Sequence, residues 1–206
     1  HPFIHIPAGL RYLLNHPTLN WNYASEPEAG TAGRAIHWPR GKTLGGSSSI
    51  NGMLYVRGNA SDYDNWAQLG CRGWSYDQVL PYFKKSEAVR GGDDAYRGRS
   101  GPLKVEDYRS ILPLTHHFVE AAQEAGFAFN PDPNAAHQEG VAYSQMTRRG
   151  RFRGSTARTY LRSVAKSANL RVETNAQATG LVMDGKRCTG VRFQQQGQER
   201  QVHARA

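Results

Sequence analysis

Residues 40–66 read RGKTLGGSSSINGMLYVRGNASDYDNW, and the rest of the chain is best understood from this stretch outward. Its first part packs Gly41, Gly45, Gly46, three consecutive serines and the basic pair Arg40 and Lys42 just after Trp38. A Gly-Gly pair followed by hydroxyls lets bare backbone N–H groups approach an anion with no Cβ in the way. Asn51 closes the run with a donor and an acceptor to offer a heterocycle edge. By composition alone the same residues also read as a flexible Gly/Ser loop. Gly41-Lys42-Thr43 resembles the end of a phosphate-binding P-loop, which requires a glycine five positions before Gly41. Ile36 stands there and Gly33 is out of register, so the P-loop is excluded.

Ser47 or Ser48 would cap a helix over residues 47–55, with Met53, Leu54 and Val56 inward. Such a start aims N–H groups and about half a positive charge at whatever lies over Gly45 and Gly46. Upstream, residues 1–21 should be mostly irregular, with a helical turn at 10–14. Trp21 and Tyr23 suit an extended segment, 25–34 a surface turn, and Ile36 and Trp38 a short strand entering the loop. Downstream, 62–66 is a helical turn. Ser75 and Gln78 form a capping box that starts a helix with Val79, Leu80, Tyr82 and Phe83 as its stripe, which Pro81 should bend or shorten.

Residues 90–101 hold four glycines, the neighbouring Asp93 and Asp94 and no apolar period, so they are expected to be a mobile loop or lid. The two acids read as solvated neighbours, not a metal site. Leu103 and Val105 mark a strand. A helix over 114–125 presents Leu114, Phe118, Ala121, Ala122 and Ala125 on one face and stops at Gly126. His116 and His117 point about 100° apart on it and read as surface residues. A strand follows at 141–147, then a helix at 155–165 with Ala157, Tyr160, Leu161 and Val164 inward. Strands at 170–174, 180–183 and 188–193 come last, the final two joined by a turn at Asp184-Gly185. The ending, 201–206, alternates like a strand cut mid-way.

The chain has 206 residues, 21% charged and 38% apolar, enough for one large globular domain or a domain and a half. No window approaches about 18 uncharged apolar residues, so no transmembrane helix is expected. No charged and then apolar leader opens the chain, which begins His1-Pro2 and reads as a piece of a longer protein. Cys71 and Cys188 lie far apart and suit a reducing compartment. Asn59-Ala60-Ser61 matches a short glycosylation pattern of the kind that arises by chance. The net charge of +9 is densest at Arg148, Arg149, Arg151, Arg153 and Arg158. The ordinary reading is solvated arginines leading into a helix start at Ser155 or Thr156. The alternative is a basic RNA- or polyanion-binding module built on the Arg148–Arg158 patch, with no recognition-helix or zinc-finger pattern beside it.

The opening stretch resembles the first signature of the glucose–methanol–choline (GMC) oxidoreductase family, through Gly41, Lys42, Gly45, Gly46, Ser47, Ser48, Ile50, Asn51, Tyr55, Gly58 and Asp62. The phrases LNWNY, GWSYDQVLPYFKKSE and GSTARTYL resemble the bacterial choline and alcohol dehydrogenase branch, and NLRVETNAQATGLVMDGKRCTGVRF resembles the family's small sheet beside the FAD adenine. The resemblance implies a mixed α/β fold: a partial FAD-binding Rossmann-like unit without its first βαβ unit, plus part of a substrate domain. Residues 1–90 would form the FAD-binding region with its flavin loop, 91–168 a partial substrate or cap domain, and 169–206 a return to the FAD-binding domain. Cofactor contacts would come from Gly45, Gly46, Ser47, Asn51, Gly52, Met53 and Leu54, from the backbone at Ala178 where relatives usually carry Val, and from Trp21.

The implied cofactor is FAD, held non-covalently, because some relatives tether it through a His where this chain has Ile50. The implied substrate is a small alcohol, choline or an aliphatic alcohol, with hydride passing to flavin N5 and the electron acceptor unspecified. No nucleic acid is implied as a partner. A cytoplasmic location, or a peripheral one at the inner membrane, follows from the same resemblance. None of the eight histidines is assigned as the catalytic base, and no metal site is expected. A G-x-G-x-x-G turn is absent from these residues. The chain by itself is therefore expected to be inactive and to bind FAD weakly; a sub-micromolar titration midpoint would contradict that.

Overall fold

The computed structural model describes residues 1–204; the last two positions of the expected C-terminal strand, 205 and 206, lie outside the described residues. The chain divides into two compact units, residues 1–164 and 165–206.

The first unit opens with two short helices, α1 (Pro2–His5) and α2 (Leu10–Leu13). Ile4, Leu13 and Ile50 bury together, with Phe3 and Leu19 packed against them. A two-stranded ribbon pairs β1 (Tyr23–Ala24) with β2 (His37–Trp38), as the extended segments at Trp21–Tyr23 and Ile36–Trp38 predict. The helix expected over 47–55 is absent. A single 3-10 turn, Gly46–Ser49, is followed by β3 (Leu54–Tyr55). Gly45 and Gly46 take φ values of 89° and 54°, and Met53 one of 64°, so the backbone leaves helical space on both sides of the turn.

Helices α3 (Ala60–Gln68) and α4 (Tyr76–Ser86) follow. The Ser75–Gln78 capping box forms, and α4 runs for 11 residues with Pro81 inside it instead of stopping there. Next come β4 (Glu87–Ala88), β5 (Leu103–Glu106), α5 (Pro113–Glu124), β6 (Gln145–Arg149) and β7 (Phe152–Arg153). Strand β6 is central: it pairs antiparallel with β3, β5 and β7, while β4 runs parallel to β5. One sheet thus takes strands from both sides of residue 90. The expected strand over 141–147 is displaced to 145–149, with Val141 bridging Phe129 instead. On α5 the buried residue is Val119; Leu114 and Phe118, expected inward, are exposed. Periodicity shows that a helix has an apolar stripe, but the element it lies on sets which edge is covered. The helix expected over 155–165 is a five-residue π turn, Ala157–Leu161, plus α6 (Arg162–Val164).

The loop at 90–101 is pinned, not free. Arg97 is fully buried, and its Nε and Nη2 donate to Glu87. Arg57 Nη2 and the Gly98 N–H donate to Glu87 Oε1 at 2.8 and 2.7 Å. Arg97 continues to Asp132 and Gln145, and Arg57 to the carbonyls of Tyr96 and Asn134. Arg99 donates to the carbonyls of Val89, Gly91 and Gly92 and to Asp94, and Asp93 receives the Ala95 N–H. Burial works to raise the Glu87 pKa, but the hydrogen bonds from Arg97 and Gly98 and the charge of Arg57 hold it below 4.5.

The second unit is a three-stranded antiparallel sheet of β8 (Gln177–Asp184), β9 (Arg187–Gln195) and β10 (Gln198–His203), in the order β10-β9-β8. The Asp184-Gly185 signal is borne out: Asp184 pairs with Arg187 and Gly185 has a φ of 56°. The strand expected at 170–174 does not form. Gln195 Nε2 donates to Glu173 and to the Thr174 carbonyl, and Asn175 turns the chain at φ 52°.

Two outcomes follow from the Glu87 network. Glu87→Ala leaves two buried guanidinium groups without their shared acid, and should lower unfolding free energy by about 3–5 kcal/mol in urea titrations. Because the folded pKa of Glu87 is depressed, its stabilisation is complete above pH 4.5 and disappears as pH falls through the folded value. Acid unfolding of Glu87→Gln should show a shallower pH dependence in that window than the parent.

Candidate functional site

The candidate site is the loop from Gly41 to Leu54, and one side chain beneath it explains its shape. Arg153, 1% exposed, donates from Nε to the Ile4 carbonyl at 3.0 Å. Its Nη1 donates to the Asn51 carbonyl at 2.6 Å, to Asn51 Oδ1 at 2.9 Å and to the Ser48 carbonyl at 3.3 Å. The guanidinium thus draws together the N-terminal helix, the 3-10 turn and the residue that closes the loop. All its acceptors are neutral, and burial lowers its pKa.

The turn is also tied to the segment after β7. Ser48 Oγ accepts from the Thr156 N–H at 2.9 Å, and Thr156 Oγ1 donates to the Gly45 carbonyl at 3.2 Å. A Cβ on Gly45 would lie 2.6 Å from Ser49 Oγ and 3.2 Å from the Ala157 Cβ, on a backbone already at positive φ. A glycine is required there for both reasons.

Each expected cofactor residue has a definite place. Ser47 Oγ accepts from the Gly41 N–H, so its hydroxyl serves the turn. Asn51 is exposed, but its Oδ1 receives the Met53 N–H at 3.0 Å as well as Arg153, which leaves the amide Nδ2 as its outward group. Gly52 is exposed, with nothing within 4 Å of a Cβ position. Met53 is 3% exposed, and its carbonyl accepts from the Thr147 N–H and hydroxyl. Met53 therefore shapes the loop from inside. Leu54 points out, 59% exposed. Trp21 stacks on Tyr23 and lies 4.5 Å from Lys42 Nζ, at one end of the same loop. Its N–H donates to the Arg40 carbonyl, and the Lys42 N–H donates to the Leu19 carbonyl, which fixes that adjacency.

Ala178 belongs to the second unit. It is exposed on β8, the outer strand, beside the register shift between Ala178 and Gly180. An outer strand keeps alternate N–H and C=O groups unpaired on its free side.

The arginine run does not form one solvated face. Arg153 is buried; Arg148 pairs with Glu106 and donates to the Asp107 carbonyl; Arg158 covers the Phe152 ring. The holding role of Arg153 escaped sequence reading because five arginines looked alike. The available signal was the hairpin Arg148–Arg153 about Gly150, whose alternation turns Phe152 and Arg153 to opposite faces. Tyr55, half-buried near Glu87, has its phenol pKa pushed up to about 12 by desolvation and by that negative charge, so it remains protonated. His116 meets the Tyr143 hydroxyl and His117 meets Glu120, and among the described residues no three metal-ligating side chains cluster.

Comparison with known proteins places this geometry. The fold matches solved oxidoreductases over nearly its whole length. One is pyridoxine 4-oxidase from Mesorbium loti, with TM-score 0.92, 31% identity, and coverage of 98% of this chain and 40% of that one. Another is an FAD-dependent oxidoreductase from Chaetomium thermophilum, with TM-score 0.89, 28% identity, and coverage of 99% and 37%. The GMC oxidoreductase family pattern matches residues 20–206, and the chain belongs to that family. Among curated relatives, an oxygen-dependent choline dehydrogenase of Brucella ovis is 45% identical over 193 residues, which is 94% of this chain and 35% of the relative. The chain thus spans about a third of the length of such relatives. No comparison supports the RNA-binding alternative. No helix among the described residues is long and apolar enough to cross a membrane.

Arg153→Ala should release the loop: several hydrogen bonds from one charged donor are lost. Amide exchange at Asn51, Gly52 and Met53 should accelerate at least about tenfold, the equivalent of about 1.4 kcal/mol. Gly45→Ala should destabilise the protein by about 1–3 kcal/mol, measured as a lowered urea midpoint.

Proposed function

We propose that this chain forms one wall of a non-covalent FAD site in an oxidoreductase acting on CH–OH groups, and that the intact protein oxidises a small alcohol such as choline. The observation that carries the reading is the Arg153-braced loop. Its outward surface is the bare backbone of Gly46 and Gly52, the Asn51 amide and the Leu54 side chain. Such a surface fits a flat, partly anionic cofactor: small residues permit close approach, amides supply donors, and Leu54 supplies an apolar contact.

FAD, when bound, supplies the hydride acceptor. The residues of this chain bind and orient. Gly45, Gly46 and the Ser47 backbone would line the cofactor's length, and Asn51 Nδ2 would donate to a heterocycle edge. Gly52 and Leu54 would lie against the ring system, with Met53 setting the loop's curvature from within. Trp21 would close one end beside Lys42. The free edge of β8 at Ala178 offers backbone groups suited to an adenine edge. On this reading residues 1–90 and 169–206 serve the FAD-binding domain and 91–168 the substrate domain. Ile50, with an alkyl side chain 2% exposed, supports a flavin without a covalent tether. The choline class is supported by the name of the Brucella relative, and a small alcohol more broadly by the family.

The intact protein should purify yellow, and the flavin should bleach when choline or an aliphatic alcohol is added without oxygen. A protein that is colourless and takes up no added FAD would end this reading. Asn51→Ala removes both the outward amide and a brace of Arg153, and should weaken FAD binding at least about tenfold in fluorescence titrations.

A further inference from the structure

We infer that the first unit carries a second anion site, separate from the loop's outward face, which takes a phosphate-type oxyanion. A cavity of about 460 Å³ lies among β5, β7 and the π turn, and the cations Lys104, Arg149, Arg153, Arg158 and Arg162 line it. No acidic side chain lines it. Among the described residues Lys104, Arg149, Arg158 and Arg162 take part in no ion pair. The nearby Glu106 is engaged by Arg148, Arg109 and the Gly150 N–H.

The second observation is Arg153. Its Nε and Nη1 are spent on neutral oxygens, while Nη2, also buried, finds no acceptor among the described residues. A buried charge without a counter-ion is costly. An anion in the adjoining cavity would offset this one, and four further cations converge on the same space. Guanidinium groups match phosphate oxygens in paired geometry, which favours phosphate-type anions over a lone halide. The volume admits a pyrophosphate-sized group. The occupant is a free phosphate compound, and the test separates it from the other source of the same chemistry, the pyrophosphate of FAD.

Inorganic pyrophosphate is titrated calorimetrically into the intact protein, flavin-loaded and flavin-free, at constant ionic strength. Saturable binding with Kd below about 1 mM is expected in both forms. The Arg149→Ala/Arg162→Ala pair should weaken it at least about tenfold, and Lys104→Gln, on another wall, should weaken it several-fold. A control pair of exposed arginines elsewhere, Arg34→Ala/Arg72→Ala, should leave it unchanged. No saturable heat up to about 10 mM overturns the site, as does equal weakening by the control pair. Binding to the flavin-free form alone also overturns it, because the cofactor's own pyrophosphate would then be the occupant. Flavin content is read separately by absorbance, so a failed anion site leaves the flavin reading standing.

Discussion

A single buried guanidinium, that of Arg153, converts a glycine- and serine-rich segment into a fixed surface. Left to its own propensities, residues 41–54 would be an open loop, since Gly45, Gly46 and Gly52 lose much conformational freedom on ordering. Arg153 offsets that by donating to Ile4, Ser48 and Asn51 from one planar group, with no carboxylate in attendance. The loop's inner polar groups are thereby consumed, and what remains outward is small and backbone-like. A surface of that kind suits a cofactor that brings its own chemistry and needs mainly close approach and orientation.

The same logic holds on a larger scale around Glu87. One wholly buried carboxylate receives Arg57, Arg97 and the Gly98 N–H, and through Arg97 it reaches Asp132 and Gln145. Strands and loops distant in sequence meet there, so a segment that looked mobile by composition is immobilised by its one buried arginine. Buried ions of this sort are poor sources of net stability, but removing any one partner strands an uncompensated charge in the interior. The mixed sheet centred on β6 is arranged about this network, and it joins residues before and after position 90 into one layer.

Legibility varied with range. The Ser75–Gln78 cap, the Asp184-Gly185 turn and the ribbon leading into the loop rest on contacts among near neighbours, and they were readable. The helix expected over 47–55 failed because Asn51, Met53 and Arg153 compete for the same backbone through a contact more than 100 residues apart in the chain. The buried face of α5 was misread since its neighbours, not its own period, decide which residues are covered. The burial of Met53 goes with one positive φ that side-chain chemistry does not announce.

The sequence by itself determined the family, the loop's glycine and serine composition and the exclusion of a P-loop, because these depend on residue types at fixed spacing. Only the tertiary structure decided which of five similar arginines goes inside, which atoms of Asn51 and Ser47 remain available, and that a basic cavity adjoins Arg153. The reason is physical: burial and pairing of a charge depend on where distant strands bring their oxygen atoms, and no local pattern encodes that distance.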